Sequence, residues 1–282
     1  MRCFYAERYS ESWFVEAVLS TESLVVTDLT HTFSATTRFP AAEAGSLRVE
    51  WVRSREDIQA AQRLRYEIFA GEMGAQLHNQ IPGLDHDRFD QYCQHLVVRD
   101  ALGQIVGCTR VLTAYAAQRA GGFYSQTEFD LTPVLALPGR FMEIGRTCIR
   151  ADCRNGATIS TLWSGLAAFI AEHRIDYLIG CASIPLGENG LEAQALYAEL
   201  ARRSLVPDSL RVKPHLPVPR RDGRAPGRCT VPPLLKAYLR LGAQIGGEPC
   251  LDPDFQVADV FILLSTHHIE RRYARHFLDR DQ

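Results

Sequence analysis

The sequence predicts an α/β domain with a mixed central sheet that is flanked by helices on both faces. The chain has 282 residues, of which 46% are hydrophobic, and this is enough for one sizeable core. Strand-like alternation and helical spacing follow one another along residues 46–265, an order that is typical of α/β folds. Residues 1–45 show no sustained period. We therefore predict an N-terminal arm followed by one domain over 46–282, which includes a C-terminal extension.

The first half of this domain is predicted to hold one strand, one helix and one hairpin. Residues 47–52 alternate between apolar and polar, which is typical of a half-buried strand. A Ser-x-x-Asp sequence then resembles a capping box, and apolar residues follow at helical spacing over 58–69. Residues 95–98 and 105–112 flank a short turn and predict a hairpin.

The second half begins with a strand over 140–149 that carries Glu143, Gly145 and Arg146 among apolar residues. A buried charge is costly unless it is paired, so Glu143 and Arg146 need each other, other partners or a catalytic role. A glycine inside a strand often marks a bulge or a place where a ligand approaches the backbone. The other predictions are helices over 159–170, 191–200 and 232–241, strands over 177–182 and 257–264, and irregular stretches over 119–137 and 207–233.

Composition argues against several classes of protein. A formal net charge of −2 gives no reason to expect nucleic-acid binding. The eight cysteines are scattered without a Cys-x-x-Cys pair, which disfavours a disulfide framework or a zinc site and favours a reducing cytoplasm. The N-terminal residues lack the pattern of a signal peptide, and no window approaches the ~18 consecutive apolar residues of a membrane-spanning helix. We therefore expect a cytoplasmic protein without a metal site.

Acidic residues cluster at Asp85, Asp87 and Asp90, in a segment predicted to be a loop. Such a cluster suits a cation, either a metal or an ammonium group, although the spacing of an EF-hand is absent. The alternative is a solvated loop whose aspartates cap helices. Arg65 and Arg110 each lie in an otherwise apolar element, where an arginine usually pairs with a carboxylate of the protein or of a ligand.

The turn that contains Arg154 and Gly156 links the strand 140–149 to the next helix. A helix N-terminus after a strand is a ready anion site, and these two residues would then hold a phosphate. The alternative is an ordinary turn between a strand and a helix, because a full glycine-rich loop is absent.

Six runs of sequence carry a resemblance to a known family. They are Leu64–Met73, Asp87–Leu96, Gly122–Asp130, Glu143–Arg146, Gly180–Ser183 and Pro232–Ala243. The chain resembles the L-ornithine Nα-acyltransferases of bacterial ornithine-lipid synthesis, sometimes labelled hemolysin-like. These enzymes have the GCN5-related N-acyltransferase fold and are related to the N-acyl-homoserine-lactone synthases. The synthases carry a tryptophan shortly after the position of Phe69, and residues 73–76 here contain none.

The resemblance implies transfer of a 3-hydroxylated fatty acyl group from acyl carrier protein to the α-amine of ornithine, giving lyso-ornithine lipid without a cofactor. Glu143 would take the proton of the α-ammonium group, directly or through water, and Arg146 would hold Glu143, so both are expected catalytic residues. The three aspartates would hold ammonium groups, and Arg65 or Arg110 would meet the carboxylate. The expected substrate-binding residues are Arg65, Phe69, Asp85, Asp87, Asp90 and Arg110, and the expected donor-binding residues are Gly145, Thr147, Arg154 and Gly156.

Partners and alternative functions follow from the same resemblance. The basic segment from Arg211 to Arg228 is expected to dock the acidic carrier protein or to touch an anionic membrane, and a solvated loop is the alternative. An autoinducer synthase that uses S-adenosylmethionine, or another N-acyl amino acid synthase, is the nearest alternative activity. A non-enzymatic module that binds acyl chains or a partner on the same fold is the alternative of a different class.

Overall fold

The computed structural model describes residues 47–78, 81–219 and 229–267, and an eight-stranded sheet runs through them. The strands are β1 (Arg48–Val52), β2 (Gln94–Arg99), β3 (Ile105–Thr113), β4 (Phe129–Asp130), β5 (Phe141–Ile149), β6 (Tyr177–Pro185), β7 (Lys213–Pro214), β8 (Gln244–Ile245), β9 (Cys250–Asp252) and β10 (Val257–Ser265). The order across the sheet is β1-β2-β3-β5-β6-β10-β8, with β9 also on β10, while β4 and β7 form a separate pair. Because β5 and β6 are parallel and their neighbours antiparallel, the sheet is mixed, as predicted.

Six α-helices connect these strands in the described part of the chain. They are α1 (Arg55–Tyr66), α2 (Ala114–Ala120), α3 (Thr132–Leu135), α4 (Gly156–His173), α5 (Leu191–Ser204) and α6 (Pro233–Leu241). The side chain of Ser54 accepts a hydrogen bond from the Asp57 N–H and caps α1, as the sequence predicts. Asn155 caps α4 in the same way through the N–H of Thr158. None of the helices in these ranges is long and apolar enough to cross a membrane.

The two faces of the sheet are covered by different parts of the chain. Alternate strand residues such as Ile144 and Ile262 pack against α4, α5 and α6, which bury Leu166, Leu196 and Leu235 there. The opposite face buries strand residues such as Leu112, Ile179 and Phe261 under α2 and the segment 123–135. This period-two alternation is what the sequence patterns predict for a sheet with two covered faces, and the prediction is confirmed.

The neighbouring strands β5 and β6 separate partway along their length. They pair only where Phe141–Glu143 lies beside Tyr177–Ile179, which is one third of each nine-residue strand. At the point of separation a Cβ on Gly180 would lie 2.5 Å from the carbonyl oxygen of Ile144, so only glycine allows this approach. Beyond it, the edge of β5 that faces β6 is open.

A bulge in β5 lies at the same place. Cys108 pairs with Cys148 and Arg110 pairs with Gly145, so Thr109 alone faces both Arg146 and Thr147. Arg146 adopts a left-handed conformation with φ of 52°, which costs a non-glycine residue about 1–2 kcal/mol. The predicted bulge therefore exists, but the extra residue is Arg146 rather than Gly145. Such bulges re-aim side chains, and this one turns the Arg146 side chain toward the acidic loop.

The structure also differs from the sequence predictions in three places. The stretch 119–137 is predicted to be irregular but contains β4 and α3, which are too short for a periodic signal. The proline-rich stretch 207–233 contributes β7, which pairs with β4. The two- and three-residue strands β8 and β9 are likewise missed. The N-terminal arm 1–45 and residues 220–228 of the basic segment lie outside the described residues.

Candidate active site

Arg65 is the centre of a buried ion-pair network beneath the acidic loop. Its side chain is 1% exposed, and it forms two bonds to the Asp90 carboxylate, of 2.8 and 3.0 Å. Its Nε donates to Asp85 at 2.7 Å, and its Nη2 donates to the Asp85 carbonyl at 2.5 Å. Arg65 therefore ties α1 to the loop, and it has no access to a substrate. This corrects the expectation that Arg65 binds the substrate carboxylate.

Arg110 completes the network from β3. It contacts both carboxylate oxygens of Asp87, at 2.6 and 2.7 Å, and donates to Asp90 at 3.1 Å. The pKa of Asp90 is lowered, because the attraction of Arg65 and Arg110 outweighs the effect of burial. The three aspartates are thus occupied by arginines of the protein. The expectations that they hold substrate ammonium groups, and that Arg110 meets the substrate carboxylate, are corrected accordingly.

Arg146 is bound more loosely than the other two arginines. Its Nε lies 3.3 Å from Asp85 and its Nη2 lies 3.6 Å from Asp87, and the buried Nε has no hydrogen-bond partner among the described residues. The guanidinium lies between the rings of Tyr124 and Phe255, whose centroids are 5.1 and 5.2 Å away. This arginine faces a cleft and can accept a further anionic partner.

Phe69 lies behind this arrangement rather than in it. Its ring is 8% exposed and packs edge-to-face on Phe255, with the centroids 5.5 Å apart. Phe69 is therefore a support for the residue that covers Arg146, and not one of the residues that line the cleft.

Glu143 is buried on β5 and is paired with backbone rather than with Arg146. Its carboxylate accepts hydrogen bonds from the N–H groups of Tyr124 and Ser125, at 2.6 and 2.7 Å, and from the Ser125 hydroxyl. Burial raises the pKa of Glu143, although these donors oppose the rise. Both oxygens are occupied, so Glu143 holds the 3₁₀ turn Tyr124–Thr127 in place. This geometry corrects the expectations that Glu143 takes a proton directly from the substrate and that Arg146 holds it.

The turn that Glu143 holds forms one wall of a cleft of about 270 Å³. This volume is near the lower end of the roughly 300–1,000 Å³ typical of small-molecule sites. The cleft is lined by Tyr124, Thr127, Glu128, Arg146, His215, Leu216, Cys250, Leu251, Asp252, Pro253, Asp254 and Phe255. It joins four distant parts of the chain on the sheet face opposite α4, α5 and α6.

Three further carboxylates, none of them predicted from the sequence, lie close together, and two of them, Glu128 and Asp252, line this cleft. Side-chain oxygens of Glu128, Asp252 and Asp259 all lie within 4.8 Å of one another. Both oxygens of Glu128 and Oδ1 of Asp259 are buried without a hydrogen-bond partner among the described residues. Burial and the charge of Asp259 raise the pKa of Glu128 to about 8, and burial also raises that of Asp259.

One of these residues had a usable sequence signal. Asp259 stands inside the apolar strand β10, which is the same kind of misplaced charge that drew attention to Glu143. Glu128 and Asp252 lie beside short or irregular segments, where the local sequence does not distinguish a site from a solvated turn. Only the tertiary structure brings the three together.

The residues expected to bind the donor lie around the bulge and the start of α4. The hydroxyls of Thr147 and Thr109 lie 2.7 Å apart, and Thr109 also donates to the carbonyl of Gly145. Gly156 is the first residue of α4. Arg154 donates to the carbonyl of Ile149 at 2.9 Å and forms an ion pair with Glu72. Arg154 therefore braces the end of β5, and Gly156 and the N-terminus of α4 are nearby.

Comparisons with known proteins find relatives of this chain in sequence and in structure. The acetyltransferase (GNAT) domain family matches residues 64–164. The L-ornithine Nα-acyltransferase of Brucella abortus (strain 2308) is 36% identical over 251 residues, covering 83% of this chain and 89% of the relative. The same enzyme of Rhodobacter capsulatus is 33% identical over 257 residues, covering 85% and 98%. The structure of FeeM, an N-acyl amino acid synthase from uncultured soil microbes, is 9% identical with a TM-score of 0.48, covering 79% of this chain and 93% of FeeM.

Proposed function

Because the chain belongs to the L-ornithine Nα-acyltransferase family, we propose that it transfers a fatty acyl group from acyl carrier protein to the α-amine of ornithine. The product of this reaction is lyso-ornithine lipid when the acyl group is 3-hydroxylated. The predicted N-acyltransferase activity and the predicted fold class are both confirmed by this membership and by the acetyltransferase domain.

The observation that carries the proposal is the cleft that Arg146 shares with the acidic residues. A free amino acid offers a carboxylate and at least one ammonium group, and the cleft offers a guanidinium and carboxylates in return. Arg146 is the receptor for the acceptor carboxylate, since its Nε makes no hydrogen bond to the described residues and its ion-pair contacts with Asp85 and Asp87 are long. The α-amine of an acceptor held there lies near the bulge of β5.

The gap between β5 and β6 is the route for the donor. An extended pantetheine arm can pair with the open edge of β5 as an added strand does. Its thioester then lies near the bulge at Gly145, Arg146 and Thr147, while its single phosphate lies at the N-terminus of α4, which Gly156 begins. Because a carrier-bound donor presents one phosphate, it does not need a full glycine-rich loop.

The chemistry needs no covalent enzyme intermediate. The neutral α-amine attacks the thioester carbonyl, the carbon–nitrogen bond forms and the carbon–sulfur bond breaks. The proton lost by the amine balances the one taken up by the departing thiol. Arg146 and the bulge contribute by positioning the two reactants, and holding reactants in a productive geometry is a large part of such rate enhancements.

Docking of the carrier protein is assigned to the basic segment from Arg211 to Arg228. Carrier proteins are acidic, so a cluster of arginines attracts them over a long range. The same arginines would support contact with an anionic membrane, which suits an amphiphilic product. Of this segment, only residues 211–219 belong to the described structure.

The test is an acyl-transfer assay with purified protein and 3-hydroxyacyl carrier protein. The acceptor panel contains ornithine, lysine, glutamine, glycine and S-adenosylmethionine, and products are identified by mass spectrometry. We expect Nα-acylornithine as the main product. Formation of an acyl-homoserine lactone would support the autoinducer synthase instead. Absence of any acylated amine would overturn the enzymatic proposal and favour a binding module.

A further inference from the structure

The cluster of Glu128, Asp252 and Asp259 is compact enough for one ammonium group to contact all three carboxylates. An ammonium nitrogen donates three hydrogen bonds in tetrahedral directions, each about 2.8 Å long, so its three acceptors lie about 4.6 Å apart. The three carboxylates present oxygens that are all within 4.8 Å of one another. One oxygen of Asp252 is already used, because it accepts from the N–H groups of Asp254 and Phe255. That bonding fixes the position of Asp252 at the cleft.

The protein gives this cluster few donors. Burial raises the pKa of Glu128 more than Tyr124 and Cys181 lower it, and burial raises the pKa of Asp259 more than Ser183 lowers it. Asp259 is 4% exposed, and its Oδ1 has no hydrogen-bond partner among the described residues. Both oxygens of Glu128 are also buried without a hydrogen-bond partner among the described residues, and Glu128 lines the cleft. Buried carboxylate oxygens that lack well-formed hydrogen bonds are costly, so three of them in one place call for a bound cation or for protons.

The reacting amine of the acceptor cannot be the group that occupies this cluster. Three carboxylates stabilise the protonated form of any amine among them, and a protonated amine has no lone pair with which to attack a thioester. The amine that reacts must therefore lie elsewhere. The side-chain amine of a diamino acid, in contrast, has to be kept from reacting if the product is to be acylated at the α-nitrogen.

We propose that Glu128, Asp252 and Asp259 bind the side-chain ammonium group of the acceptor, and so select a diamino acid and protect its side-chain nitrogen from acylation. This inference rests on the proposed function. Arg146 holds the carboxylate in the cleft that Glu128 and Asp252 also line, and the cluster holds the ammonium group. The α-amine is then the nucleophile because it is the amine outside the cluster.

The test compares ornithine with norvaline, which has the same carbon skeleton and lacks only the side-chain amine. We expect Glu128→Gln and Asp259→Asn each to lower the ratio of kcat/KM for ornithine to kcat/KM for norvaline by about tenfold or more. These variants keep the shape of the side chains and remove one charge. We also expect the fraction of Nδ-acylated ornithine, measured by tandem mass spectrometry, to rise in both variants. Asp152→Asn is the control, because Asp152 is an exposed carboxylate that pairs with Arg150 and does not line the cleft.

The outcomes separate this inference from the proposed function. Calorimetric titration of ornithine and norvaline without donor reports on the cluster even if no acyl transfer is found, and we expect ornithine to bind more tightly to the wild type. If Glu128→Gln and Asp259→Asn lowered kcat/KM and affinity equally for ornithine and norvaline, the inference would be overturned. So would a loss of discrimination on adding EDTA that Mg²⁺ restores, since the cluster would then hold a metal ion.

Discussion

The guanidinium of Arg65 and the carboxylate of Asp90 form a two-bond ion pair inside the protein, with bonds of 2.8 and 3.0 Å. Both side chains are no more than 2% exposed. A pair of this kind holds α1 against the loop that precedes β2, and it leaves neither partner available to a ligand. Arg65 and the acidic loop, which the sequence suggests as a binding site, therefore support the site structurally and do not bind the substrate.

We expect Asp90→Asn to lower the free energy of unfolding by about 3–5 kcal/mol, because it leaves Arg65 buried with an incomplete set of partners. Urea denaturation measures this loss. Asp208→Asn is the control, since Asp208 is exposed and its pair with Arg211 contributes little. The Asp90 pKa is lowered in the folded protein, so its contribution is present above about pH 4 and is lost as the pH falls further. Equal stability of variant and wild type at pH 7 would contradict the structural role.

Glu143→Gln is expected to lower the free energy of unfolding by about 1–3 kcal/mol, because the amide NH₂ would face the N–H donors of Tyr124 or Ser125. The value of kcat should fall as well, since the displaced turn contains Tyr124 and is followed directly by Glu128. Ser125→Ala removes only the hydroxyl donor and should have a smaller effect on both measurements. A Glu143→Gln variant with wild-type stability and a drop in kcat of about 10²–10⁴ would instead identify Glu143 as the general base.

Arg146→Lys is expected to raise the KM for ornithine by about tenfold or more with a smaller change in kcat. Lysine keeps the charge but lacks the planar fork that binds a carboxylate through two bonds. Steady-state kinetics with ornithine and with ornithinamide measure the effect. The KM for ornithinamide should rise much less, because the amide has no carboxylate. Arg119→Lys, at an exposed site on α2, is the control. An equal rise in KM for ornithine and ornithinamide would show that the substrate carboxylate binds elsewhere.

Gly180→Ala is expected to reduce both stability and activity. Its Cβ would lie 2.5 Å from the carbonyl oxygen of Ile144, so β5 and β6 would have to move apart where the donor is proposed to enter. Overpacking of this kind costs about 1–3 kcal/mol, which thermal or urea denaturation detects. Gly71→Ala is the control, because a Cβ at Gly71 meets nothing within 4 Å. A fully stable Gly180→Ala variant with normal kcat would show that the close approach of the strands is unimportant.

The affinity for ornithine is expected to rise as the pH increases toward 8. The pKa of Glu128 is raised to about 8 by burial and by Asp259, so the unliganded carboxyl is protonated at lower pH and must lose its proton to bind an ammonium group. Titration calorimetry in buffers of different ionisation enthalpy should detect this proton release. Norvaline, which has the same α-amine, should show no comparable release, and neither should Glu128→Gln. Affinity independent of pH between 6 and 8 would contradict the expectation.

The raised pKa of Glu128 also predicts that the stability of the unliganded protein falls as the pH rises, whereas the affinity for ornithine rises. A carboxyl whose pKa is raised by folding favours the folded state below its unfolded pKa of about 4.3, and that contribution is lost as the pH rises toward 8. The unliganded wild type should therefore lose stability, relative to Glu128→Gln, between pH 5 and pH 8. Saturating ornithine should reverse the loss.

Much of the fold and part of the site follow from the sequence alone. The alternation in β1, the capping residue Ser54 and the apolar face of α4 are local patterns, and each forms as predicted because its signal lies within a few residues. The motifs likewise placed the chain in its family and singled out Arg65, Arg110 and the acidic loop as a group. The structure shows that these arginines and aspartates contact one another. The grouping was predictable because the two arginines stand in otherwise apolar elements.

Which groups remain free for a substrate was decided only by the tertiary structure. Arg65 and Arg146 both lie beside the acidic loop. Arg65 is saturated with hydrogen bonds, whereas Arg146 sits at the bulge, lines the cleft and has an Nε that makes no hydrogen bond to the described residues. Glu128, Asp252 and Asp259 are separated by as many as 131 residues and meet where β9 pairs with β10 and the turn held by Glu143 packs over them. Periodicity records which face of an element is buried. It does not predict which charged residues from distant parts of the chain come into contact. Those contacts set the charge and the selectivity of the site.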